Sequence, residues 1–142
     1  MWWVTIVDAT LVRHHPAAYD AVLAGQSAAQ RQQIEGTLAG MRFVRNQMGR
    51  DIDHADFVCP QPSHRGPRDD RITAWTWKPV PEPALASLPA GGQAWEMTRY
   101  RAYQAHLAGH AIGETFGRAT EFLRLAAANA PPTTTASTHA AR

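Results

Sequence analysis

The chain has little cysteine, lysine or charge. Its one cysteine, Cys59, excludes an intrachain disulfide and fits a reducing compartment. Lys78 is the only lysine, so the remaining basic side chains are arginines. With the abundant alanine, that bias reads as base composition rather than chemistry. Charged residues are 18% of the 142, and the net charge of +2 is too small a surplus to point to nucleic acid. Where arginines do gather, at Arg50, Arg65, Arg68 and Arg71, they alternate with Asp51, Asp53, Asp56, Asp69 and Asp70. A long apolar run is missing too. Asp8 interrupts the N-terminal apolar stretch and no charged segment precedes it, so neither a signal peptide nor a membrane span is expected, and the expected location is the cytoplasm. No glycine-rich phosphate loop, paired-cysteine zinc motif, serine elbow or metalloprotease helix motif occurs, and no cofactor is expected.

Against these absences, hydrophobic residues make up 44% of the chain, enough for a real core in one domain. The expected organisation is a single helical domain over 1–129 with a β-hairpin insertion near 56–78. The end of the chain, 130–142, has nothing to bury and is expected to be disordered.

The rest is organised around Ser27 to Gly49. Ser27 and Gln30 form a Ser-x-x-Gln capping box, and Gly49 is the expected stop. Ile34, Leu38, Met41 and Met48 fall within roughly 80° on the helix wheel, and Arg45 falls inside the same stripe. Arg45 is therefore expected to be buried or half-buried, in need of a carboxylate, a carbonyl, a ligand or a wet cleft. Gly36 and Gly40 lie on the opposite face and invite close approach by another element.

Before this helix, residues Trp2 to Val12 fit both strand propensity and an i, i+3, i+4, i+7 pattern, and helix is preferred because no strand partner lies nearby. Pro16 starts a short helix that Gly25 ends. After it come a short apolar piece at Asp56 to Cys59, the loop PQPSHRGPRDD, and the alternating strand RITAWTWKP. Trp75 and Trp77 are expected to pack on the helices. A proline-rich connector then leads to helices over Gln93 to Ala108 and Ile112 to Ala127, the second strongly amphipathic. The fold expected is mainly α, a four- to five-helix bundle with a small β-hairpin packed on one side.

Glu96 projects into the apolar face made by Tyr100, Tyr103 and Leu107, much as Arg45 does in its own helix. Arg45 and Glu96, with Asn46, Tyr100 and Tyr103, are the candidate polar core or binding site. The plainer alternative is a structural ion pair or a snorkelling arginine. His106, His110 and Glu114 recur at i, i+4, i+8, but Gly109 interrupts them, and no metal site is expected.

The segments MRFVRNQMG and WTWKPVPE…LP…YRAYQAHLAGHAIGETF resemble those of a group of small uncharacterised bacterial helical proteins with LRFVRN, WxWRP and LAG motifs. Through them the chain is similar to HEPN domains, helical modules of toxin and defence systems. That resemblance implies a ribonuclease motif of arginine, a polar residue and a histidine shortly after. Arg45 and Asn46 match its first half. Gly49, Arg50, Asp51 and Ile52 stand where the histidine is expected, and His54 follows. Arg45, Asn46 and His54 are accordingly the catalytic candidates, with His106 as another source of an imidazole and RNA as a possible ligand. The reading preferred is a non-catalytic helical interaction module that binds a protein partner or itself, with a divergent HEPN-like ribonuclease as the alternative.

Overall fold

The Ser27–Gln30 box opens the longest helix. The Ser27 amide donates to Gln30 Oε1 at 3.1 Å and the Gln30 amide donates to Ser27 Oγ at 3.3 Å, so each residue caps the other. The computed structural model describes residues 2–50, 56–64, 71–83, 85 and 88–131. In chain order these form α1 (Trp2–His14), α2 (Pro16–Ala24), α3 (Ala28–Arg50), β1 (Val58–His64), β2 (Arg71–Trp77), α4 (Ala90–His106) and α5 (Ile112–Ala128). The fold is mainly helical with a two-stranded antiparallel sheet against the helices. Among the described residues no helix is long and apolar enough to cross a membrane.

Helix α3 is the centre. It packs on α4 along much of its length and on α1 and α5 elsewhere. Gly36 and Gly40 set how closely α4 approaches: a Cβ on Gly40 would lie 3.0 Å from the Tyr103 Cα, and one on Gly36 would lie 2.2 Å from the His106 ring. Leu38, Met41, Phe43 and Val44 meet Tyr103, Leu107, Ala119 and Phe122 in the core. Phe43, Phe57, Tyr103 and Trp77 continue it as an aromatic chain of mostly edge-to-face pairs.

Gly49 does not stop α3, which runs on to Arg50. The expected 51–55 region, with His54, lies outside the described residues, as do the hairpin loop 65–70 and the tail 132–142. The loop expected from Pro60 onward is partly strand. Pro60 pairs with Trp75 and Pro62 with Thr73. Both strands of a two-stranded sheet are edges, so a proline fits wherever its missing N–H would face away from the partner.

The base of β2 is fastened to the corner between α4 and α5. The Trp77 amide donates to the His110 carbonyl at 3.0 Å, and the Gly109 amide donates to the Trp77 carbonyl at 2.8 Å. Gly109 has φ +78°, the left-handed conformation glycine tolerates best. The Trp77 indole donates to Thr115 Oγ1 at 2.7 Å and stacks on Phe116. Trp77 is 3% exposed, but Trp75, expected on the helices beside it, is 55% exposed. The two share a strand face, yet only the end of β2 reaches the helical corner.

Candidate polar site at the α3–α4 end

Antiparallel packing of α3 on α4 puts the last turns of α3 beside the first turns of α4. There Glu96, only 2% exposed, is the hub. Its Oε2 accepts from Asn46 Nδ2 at 3.1 Å and its Oε1 accepts from Gln47 Nε2 at 3.2 Å. Arg99 approaches Oε2 at 3.4 Å and Arg50 approaches Oε1 at 3.8 Å. A carboxylate can be buried here because both oxygens face donors and two cations stand near them.

Arg45 joins this cluster indirectly. Its Nε and Nη2 donate to Asn46 Oδ1 at 3.3 and 3.1 Å, and Asn46 passes the connection on to Glu96. Arg45 is half-buried, in keeping with its stripe; Val44 is the last fully buried residue of α3, and Met48 one turn on is partly buried against the core. The Arg45–Glu96 contact expected from sequence is thus bridged by an amide.

The two tyrosines point elsewhere. Tyr100 donates to the Val80 carbonyl at 3.3 Å and Tyr103 donates to the Lys78 carbonyl, so both hydroxyls tie the connector down. Burial pushes the Tyr103 phenol well above its ordinary range.

Beside the Glu96 cluster lies an open cleft of about 380 Å³, lined by Asn46, Arg50, Leu88, Gly92, Trp95, Glu96 and Arg99. Trp95 is 69% exposed. Sequence reasoning passed over Trp95, Arg99 and Gln47. The wheel held a signal for Trp95, because it sits about 100° from Glu96 and so off the buried face of α4.

His106 is at the other end of this interface. It abuts Gly36, which precedes Arg45 by nine residues, about 13.5 Å along the helix. It therefore cannot serve Arg45 as an acid or base. His106 ends α4 while Glu114 lies on α5, and among the described residues no group of three or more His, Cys, Asp and Glu is arranged to hold a metal.

A second polar centre had gone unnoticed. Asp8, fully buried on α1, accepts from Arg42 Nε at 2.6 Å and from the Tyr19 hydroxyl at 3.1 Å. Burial and the Asp8 charge hold the Tyr19 phenol far above its usual range. On the outer side of the same helix, Trp2, Trp3 and Ile6 are exposed. Comparison with family models, with curated proteins and with solved structures finds no match.

Proposed function

We propose that this chain is a non-catalytic helical interaction module whose recognition surface is the α3–α4 end, formed by Asn46, Arg50, Trp95 and Arg99 around Glu96, with Arg45 holding Asn46 in place. The observation that carries this reading is the pairing of an exposed Trp95 with a hydrogen-bonded charged cluster in one open cleft. Binding surfaces favour tryptophan and arginine, the two side chains displayed here. The partner is a protein. A second copy of the chain is one such partner, and the exposed Trp2, Trp3 and Ile6 on α1 supply an apolar surface for it.

The ribonuclease implied by the HEPN resemblance has less support. Arg45 spends its guanidinium on Asn46, and His106 is too distant along α3. The test combines RNA turnover with sedimentation velocity. Purified chain leaves RNA intact, while Trp95→Ala keeps its helical content and changes the concentration dependence of sedimentation, alone or with a protein partner. RNA cleavage that disappears in a folded Arg45→Ala variant replaces this reading with the catalytic one.

A further inference from the structure

The charge and shape of the α3–α4 cleft narrow the kind of ligand it takes. Arg50 and Arg99 face the single carboxylate of Glu96, so the cleft carries a small positive surplus. Both guanidiniums are partly exposed, with side-chain exposures of 39% and 29%. Contacts of 3.8 and 3.4 Å to Glu96 are loose for charge-assisted bonds, while Asn46 and Gln47 already satisfy the Glu96 oxygens. Among the described residues the arginine forks have no tighter acceptor, and they can take an incoming one without stripping Glu96 of its partners. Leu88, Gly92 and the Trp95 ring make the apolar wall.

We infer that this cleft binds a carboxylate side chain flanked by an apolar residue, presented by a peptide segment of a partner protein. The carboxylate meets Arg99 and Arg50, and the apolar neighbour lies on Trp95. A monoanion suits the small surplus. A nucleic-acid strand does not, since it brings one phosphate charge per nucleotide to a site whose floor is Glu96. The first turn of α4 contains no acidic residue, so this turn adds no repulsion to that of Glu96. The inference rests on the interaction-module reading and specifies its ligand.

The experiment follows the Trp95 indole N–H in ¹⁵N-labelled chain, identified by its loss in Trp95→Phe. The probes are N-acetyl-Leu-Glu-Leu-amide, its glutamine counterpart and oligo-uridylate. The glutamate peptide is expected to move the Trp95 signal, with the glutamine peptide binding about tenfold more weakly. Arg99→Gln is expected to erase that difference, and Arg99→Lys to restore part of it by returning the charge without the fork. Equal binding of the two peptides overturns the inference, as does a response to oligo-uridylate alone or to none of the probes. The RNA-turnover and sedimentation measurements use none of these peptides. If they still favour a non-catalytic module, only the ligand class has failed; RNA cleavage overturns both.

Discussion

Asp8 and Arg42, 34 residues apart in sequence, meet at 2.6 Å in the only fully buried carboxylate contact made by α1 among the described residues. The pair ties α1 to α3, and the Tyr19 hydroxyl brings α2 to the same carboxylate. Three helices are thus fixed by one anion.

Removing Arg42 leaves the buried Asp8 charge with only the Tyr19 hydroxyl to compensate it. Arg42→Ala is expected to lower unfolding stability by about 3–5 kcal/mol, read from urea denaturation. Tyr19→Phe, which removes one hydrogen bond and no charge, is expected to cost about 1 kcal/mol. A loss below about 1 kcal/mol in Arg42→Ala would mean that the pair contributes nothing to holding α1.

At the other end of α3 the asymmetry between Arg45 and Glu96 gives opposite expectations. Arg45 is half-buried and bonds Asn46, so Arg45→Met is expected to change stability by less than about 1 kcal/mol. Glu96→Ala strands the amide groups of Asn46 and Gln47 and leaves Arg99 beside them without its carboxylate. A cost of about 2 kcal/mol or more is expected. Equal effects of the two substitutions, in the same denaturation series, would show that Arg45 rather than Glu96 holds the cluster.

Several local signals in the sequence survived folding, though Gly49 as a helix stop did not. Ser27 with Gln30, Pro16 at the start of α2 and the strand over Arg71–Trp77 are read from neighbouring residues, and each appears in the structure. Gly36 and Gly40 foretold a close neighbour because two missing side chains on one face leave space for a backbone. What stayed hidden depends on distant partners. Asp8 looked like an interruption of an apolar helix because its guanidinium lies on α3 and its phenol on α2. Arg45 lies half-buried in its stripe, but the wheel does not show that its guanidinium bonds the adjacent Asn46 rather than Glu96. Pro60 and Pro62 read as loop because nothing in the sequence says that β1 is an edge.

Trp75 and Trp77 test that last distinction directly. They are two residues apart on one strand, but Trp77 is stacked on Phe116 and bonded to Thr115, while Trp75 lies open to solvent. Trp77→Ala is expected to cost about 3–5 kcal/mol and to free the base of the hairpin. Trp75→Ala is expected to fall within about 0.5 kcal/mol of the parent. Comparable melting temperatures for the two variants would place the hairpin somewhere other than on the α4–α5 corner.

The two close-approach glycines should also separate. An alanine at position 40 meets the Tyr103 backbone at 3.0 and 3.2 Å, atoms that cannot move without displacing α4. Gly40→Ala is therefore expected to destabilise by about 1–3 kcal/mol despite alanine's better helix propensity. At position 36 the obstacle is the His106 ring, the end of a side chain that can swing away. Gly36→Ala is expected to be nearly neutral, its clash offset by a helix gain of about 1 kcal/mol. The reverse order in thermal melts would mean that the His106 ring is held more firmly than the backbone of α4.

His106 also gives the fold a pH dependence whose sign follows from its surroundings. Burial against α3 disfavours the imidazolium, and the nearby Arg118 and His110 push the same way, so its pKa falls below the ordinary 6.5. The unfolded chain then binds the proton more readily than the folded one. The resulting stability is fully present above pH 6.5 and is lost as pH falls from there towards the lower folded value, beyond which it changes no further. His106→Gln, which cannot titrate, is expected to flatten the decline in melting temperature just below pH 6.5. The exposed carboxylates Asp56 and Glu121, held low by Lys78 and Arg124, titrate below this window and do not obscure it. An unchanged slope in His106→Gln would place the imidazole in water in the folded protein, away from Gly36.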